Sequence, residues 1–293
     1  MRAPAIYAST ATIARQFRNL RDLLTAVTAT GGVDGIELGW SPSLEGVAIP
    51  QELTKFDVHW LVHNYFPAPA EPFVLNLAAT DAALLQRSRS FAAAAIRLSA
   101  KLGAPFYSVH CGFLANLDTD SLGRKLHYGE LCDYETGYST FVESLQYLLG
   151  EVRAAGIRLL IEPNVVAPFN LIAGRNQLLM MAEPAEFKRL LAEISDERLG
   201  VLVDLGHLKV SATTLGFAPE DFVAAVADAV GAFHLHDNDG TADQHRPVAP
   251  DSWTFNVIRQ SRFRDLPIVV EATFESAVSL AEHCIWLKKQ LDC

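Results

Sequence analysis

The 293-residue chain is half hydrophobic and one-fifth charged, without a low-complexity tract or a run of like charge, which excludes a largely disordered protein. Its 34 Asp+Glu against 24 Lys+Arg leave a net charge of −10, which argues against a nonspecific polyanion binder. Cys111, Cys132, Cys284 and Cys293 lack disulfide-framework or zinc-ribbon spacing, and no apolar run approaches the ~18 residues of a membrane helix, so a soluble cytoplasmic protein with no membrane attachment is expected.

Ala5 to Ser9 is a β-prone run, and Ile13 to Val27 carries apolar residues at helical spacing, which predicts a strand followed by a helix. Val33 to Leu38 reads as a second strand with Glu37 near its end, and Val58 to His63 as a third that ends in histidine. The loop from Asn64 to Thr80 holds three prolines and is long enough to cover something, and Asp81 is placed to cap a helix running to Leu102. Phe106 to His110 is a fourth strand, again ending in histidine. A polar loop enters a helix near Thr136 that continues through Arg153, and Ile157 to Asn164 is the fifth strand, with Glu162 near its end. A helix from Glu183 to Ile194, a strand from Leu199 to Asp204 and a helix from Pro219 to Val230 follow, with His207 three residues past Asp204.

The seventh strand starts near Gly231. Phe233 and Leu235 alternate with His234 and His236, and period-two alternation sends both imidazoles to one face. Asp237, Asn238, Asp239, Asp243 and His245 follow in a Gly-bearing loop, so oxygen and nitrogen donors crowd one strand end in a metal-site composition. Pro267 to Glu271 is the eighth strand, and Glu275 to Leu291 the closing helix.

Eight βα repeats with near-continuous apolar strands point to a parallel sheet covered by helices. Eight such units close into a (β/α)8 TIM barrel of the α/β class, here a single domain over residues 1–293. The competing open, doubly wound sheet lacks the Gly-rich phosphate turn that would support it. In a barrel the C-terminal strand ends meet at one mouth, which would gather Glu37, His63, His110, Glu162, Asp204, His234 and Glu271. One such residue is ordinarily a helix cap or a solvated loop start. Seven together need a cation or shared protons to offset the cost of burying carboxylates side by side.

On these residues the chain resembles, nearly end to end, the xylose isomerase-like barrel superfamily of sugar isomerases and epimerases, inosose-type dehydratases and endonuclease IV. The resemblance implies that Glu162, Asp204, His234 and Glu271 bind a divalent cation; His236 competes with His234 for the third place, because each begins an H-x-x-D pattern. His63, His110, His207, Asp243 and His245 match the additional ligands of the trinuclear zinc cluster in the endonuclease IV branch. The oxygen-rich set suits Mn²⁺, Mg²⁺ or Co²⁺, and engagement of the extra histidines favours Zn²⁺. The implied activity is isomerisation or epimerisation of a sugar, sugar phosphate or related polyol through a metal-stabilised enediolate. Glu162 and Glu271 would be its catalytic bases, with His236, Arg246 and Asn64 at the substrate. The alternatives are an endonuclease IV-like zinc phosphodiesterase and a dehydratase or lyase of the same superfamily.

The loops that would grip DNA, at Asn64 to Thr80 and Gly112 to Thr136, hold Asp118, Asp120, Glu130, Asp133 and Glu135 against Arg124 and Lys125. That is too few cations to track a phosphate backbone, so a small sugar-like molecule is the expected partner, nucleic acid is not, and the fold is compatible with a homo-oligomer. His59 is read as a core histidine and His283 as a surface or packing residue.

Overall fold

The computed structural model describes residues 4–40, 49 and 51–292. Cys293 lies outside them, as do the first three residues. Among the described residues, eight parallel strands close into a barrel in sequence order: β1 (Ile6–Ser9), β2 (Gly35–Leu38), β3 (His59–His63), β4 (Phe106–His110), β5 (Arg158–Glu162), β6 (Leu199–Asp204), β7 (Val230–Leu235) and β8 (Ile268–Val270). β1 pairs with β8 through Ile6↔Ile268, which seals the ring. The helices are α1 (Thr10–Ile13), α2 (Leu20–Ala29), α3 (Ala82–Lys101), α4 (Tyr134–Ala155), α5 (Pro184–Glu193), α6 (Leu205–Leu215), α7 (Pro219–Val226), α8 (Phe255–Ile258) and α9 (Ala277–Leu291).

The interior follows strand parity. Tyr7, Leu61, Phe106, Leu160, Leu202, Ala232 and Val269 pack as one apolar cluster inside the barrel. Two residues further along the same strands, Ser9, His63, Ser108, Glu162, Asp204, His234 and Glu271 form a polar layer on that apolar floor. Gly35 completes the floor by leaving space: a Cβ there would lie 2.3 Å from the Tyr7 ring, so Tyr7 fills the position instead. A register shift opposite Val201/Leu202 brings Ala232 beside Leu202 and His234 beside Asp204.

Several expectations need correction. The helix expected over 13–27 is divided, because the Asn19 side chain accepts from the Asp22 amide at 2.9 Å and starts α2 afresh. Asp81 caps α3 as expected, accepting from the Leu84 amide at 2.7 Å. The eight repeats are not uniform: among the described residues no α-helix lies between β2 and β3, and only the four-residue α8 lies between β7 and β8. Sequence reading also lacked α6, which follows β6 directly. Seven of its residues, from Leu205 to Ala212, are buried, so it shows no polar face to mark its period. His59 is exposed at the start of β3 instead of lying in the core. His283 does pack, its ring 5.1 Å from that of Trp286. No helix among the described residues is long and apolar enough to cross a membrane.

Candidate metal centre

The polar layer sorts into overlapping groups whose donor atoms lie within 4.8 Å of one another. Glu162, Asp204, His234 and Glu271, from β5, β6, β7 and the end of β8, make one group, all four buried. His63, His110 and Glu162 make a second, so Glu162 is shared. His207, His236, Asp243 and His245 make a third, and Glu37, His63 and His234 a fourth. The two histidines that compete on sequence fall in different groups: His234 Nδ1 is 2.9 Å from Glu271 Oε2, whereas His236 Nε2 is 3.7 Å from Asp243 Oδ1, while also 3.0 Å from Asp204 Oδ1 of the first group.

The nature of these contacts shows what the donors suit. Glu162 Oε1 is 3.1 Å from His207 Nδ1, and its Oε2 is 3.2 Å from His63 Nε2 and 3.6 Å from His110 Nε2. Yet both Glu162 oxygens, His207 Nδ1 and His234 Nδ1 are fully buried without a well-directed hydrogen bond among the described residues. Close approach without hydrogen-bond direction is what lone pairs aimed at a common point produce, and leaving such groups buried and unpaired is costly. The donor set fits a divalent cation: carboxylate-rich in the first group, histidine-rich in the others.

Electrostatics maintains the charges. Burial alone would raise the Glu162 carboxyl, but the charges of His110, His234 and His63, with the neighbouring His207 imidazole, hold it well below the usual range. Burial likewise opposes Asp204, which His207 and His236 keep low. Glu271 is held at about 2 against burial, chiefly by His234. His234 and His207 are pushed the other way, well above the usual imidazole value, because the charges of Glu37 and Glu271 around the first and of Asp204 and Asp243 around the second overcome desolvation. His110, dominated by burial, falls to about 4; because a ligand imidazole must be neutral, a cation held by His234 or His207 would displace the proton that the surrounding carboxylates favour there.

Local structure aims these side chains. Asp204 has two tasks: Oδ1 accepts from the His207 amide at 2.7 Å, capping α6, while Oδ2 lies 3.6 Å from His234 Nδ1, and His236 Nε2 lies 3.0 and 3.1 Å from the two oxygens. The helix cap and the candidate ligand are therefore the same residue. Ser108 Oγ sits 3.0 Å from His63 Nδ1 and leaves Nε2 facing Glu162. Glu37 Oε2 lies 3.0 Å from His234 Nε2 and leaves Nδ1 toward the carboxylates, the arrangement in which an outer carboxylate fixes a ligand's tautomer. Sequence reading missed Ser108, although strand parity two residues before His110 could have found it. It placed Glu37 at the mouth without a role.

The loop after β7 separates donors from scaffold. Asp237 is bound by Lys209 at 2.6 Å and by the Ser252 hydroxyl at 2.9 Å; Asn238 donates to Gly206 O and accepts from the Gly240 amide; Asp239 accepts from Thr241. These three build the loop, and Asp243 and His245 face inward, 2.9 Å apart. His245 adopts φ 46°, a left-handed conformation uncommon for a non-glycine residue. Its bond to Asp243 outweighs burial and raises the imidazole to about 9. Gly206 lets His236 approach, since a Cβ there would lie 2.0 Å from its ring. Gly206→Ala is expected to displace the ring and cost about 1–3 kcal/mol by chemical denaturation. A variant as stable as the parent would show that the ring has room to spare.

A cavity of about 200 Å³ reaches His110, His207 and Asp243 and is bordered by Asn64. Asn64 takes φ 43°, and its Oδ1 is buried without a partner among the described residues. Arg246, expected at the substrate, does not line this cavity; its guanidinium is 3.5 Å from Asp239 and largely exposed. The loops over this side have their own apolar cluster, including Val74, Phe113, Leu126, Val166 and Leu179, and the Leu114 amide ties them by donating to Leu178 O at 2.8 Å.

Similar proteins agree on the fold and divide over chemistry. A protein named probable endonuclease 4 from Thermoplasma acidophilum is 26% identical over 259 residues, covering 82% of this chain and 78% of that protein. Among solved structures, a D-tagatose 3-epimerase-like protein superposes with a TM-score of 0.69 at 18% identity, covering 98% of this chain and 97% of the other. The TTHB071 protein from Thermus thermophilus, soaked with ZnCl2, superposes at 0.63 with 21% identity, covering 95% and 96%. The model of the family described as xylose isomerase-like TIM barrel matches residues 25–290, and the chain belongs to that family.

Proposed function

We propose that this protein is a divalent-metal-dependent isomerase or epimerase acting on a small sugar-like substrate, a sugar, sugar phosphate or related polyol. The observation that carries the reading is a buried, carboxylate-rich donor group joined through Glu162 to His110, which lines a small, walled cavity together with His207 and Asp243. Among the described residues lining that cavity, Arg124 is the only Lys or Arg, which suits a small molecule better than a phosphate backbone.

Glu162, Asp204, His234 and Glu271 would hold the cation. When bound, the cation supplies positive charge beside a substrate oxygen and lowers the cost of the negative charge that develops there on proton loss. The two glutamates are not equivalent. Glu162 is fully buried and faces nitrogens of His63, His110, His207 and His234, which suits a shared ligand. Glu271 keeps a 7% exposed edge, so it is the residue assigned to take the proton from the substrate carbon. Asn64 orients the substrate through its unpartnered Oδ1.

Metal-loaded protein, incubated in D2O with a panel of sugars, sugar phosphates and polyol ketones, is expected to place deuterium on the carbon beside the carbonyl of at least one of them. A specific observation favours a second reading, a zinc phosphodiesterase. The histidine-rich group of His207, His236, Asp243 and His245 supplies donors a mononuclear epimerase does not need, and the Thermoplasma relative bears an endonuclease name. Efficient metal-dependent incision of abasic-site DNA, with no proton exchange across the panel, would replace the first reading with the second.

A further inference from the structure

The cavity walls say more about the substrate than the donors do. Leu75, Phe113, Leu122, Leu126, Phe169 and Leu179 all line it. Leu122 and Phe169 remain 38% and 41% exposed at the surface, so apolar area is presented to solvent. Most polar side chains in the wall are already engaged. The Asn164 amide donates to Gly112 O and Met180 O, both at 2.9 Å. Asn170 accepts from the Leu126 amide at 2.9 Å and donates to Arg124 O. The Tyr65 hydroxyl accepts from the Leu75 amide at 2.6 Å. Beyond His110, His207 and Asp243, the wall offers a ligand Asn64 Oδ1, Asn164 Oδ1, the proton of the Tyr65 hydroxyl and the exposed Arg124, few groups beside six apolar side chains.

We infer that the sugar-like substrate carries, beside the two neighbouring oxygens that reach the donors, a compact apolar group, an aromatic ring or branched alkyl chain, that occupies the wall. This deepens the reading above and rests on it. A free hexose would press several hydroxyls against side chains that cannot bond them, and each hydroxyl desolvated without a partner weakens binding by roughly tenfold. An aromatic ring loses nothing there and gains from leaving water. The gain of a phenyl over a methyl group is about 30-fold in affinity.

Hydroxamates test this, because they chelate a metal through two neighbouring oxygens and differ only in the group attached. Calorimetry on protein loaded with Mn²⁺, Co²⁺ or Zn²⁺ compares benzohydroxamate, acetohydroxamate and 2,3,4-trihydroxybutanohydroxamate. Benzohydroxamate is expected to bind about 30-fold more tightly than acetohydroxamate, and more tightly than the trihydroxy compound. The double variant Phe169→Ala, Leu122→Ser is expected to cut the phenyl preference to below about fivefold. A trihydroxy compound that binds as tightly as benzohydroxamate, or a phenyl preference unchanged in the double variant, would overturn the inference while acetohydroxamate binding left the chelating site standing. If none of the three binds the loaded protein, the chelating site fails and the inference with it.

Discussion

Glu162→Ala is expected to lower metal affinity at more than one position at once. Its carboxylate belongs both to the group with Asp204, His234 and Glu271 and to the group with His63 and His110. Removing even an outer partner of a metal ligand typically costs 10–100-fold in affinity, so losing a shared ligand should exceed about 100-fold. The loss should appear as metal released on dialysis, with the secondary structure retained, because the barrel is closed beneath the site by Leu61, Leu160, Leu202 and Val269 and not by Glu162. Glu162→Gln keeps the volume and one ligand oxygen and separates loss of charge from loss of packing. Metal content unchanged in both variants would remove Glu162 from the centre.

Glu271→Gln should behave differently. The amide keeps an oxygen toward the centre but cannot take a proton, so part of the metal is retained while substrate proton exchange falls by at least the ~10²-fold lost with a positioned general base. Glu271 is also the one glutamate of the four-donor group with an exposed edge. A Glu271→Gln enzyme that is metal-loaded and exchanges at the parent rate would move the base elsewhere, to a histidine or to Glu162.

What the sequence shows of this site depends on distance along the chain. Strand-end positions are legible because period-two alternation is local: Leu160 below Glu162 and Leu202 below Asp204 stand on the same side of the same pleat. The choice between His234 and His236 is not local. It depends on Glu37, 197 residues away, against the far side of the His234 ring, and on Gly206 leaving room for His236. The apolar cluster behind the cavity wall is hidden for the same reason: Val74, Phe113, Val166 and Leu179 meet across three loops with no shared period, so the loops read as merely polar and acidic while their contacts are apolar. Helix α6 is obscured by burial on nearly every side, which erases the amphipathic stripe that marks a helix. Asp204 satisfies both interpretations of a strand-end carboxylate, cap and candidate ligand, which only the separate paths of its two oxygens reveal.

Metal content tests the central claim most directly. The purified protein is stripped with chelator, offered Mn²⁺, Co²⁺ or Zn²⁺ in turn, dialysed and assayed by elemental mass spectrometry beside Asp204→Ala. The convergence of Glu162, Asp204, His234 and Glu271 predicts that the parent keeps at least one equivalent of one of these ions and that Asp204→Ala keeps much less. A parent protein that retains none of the three would contradict it.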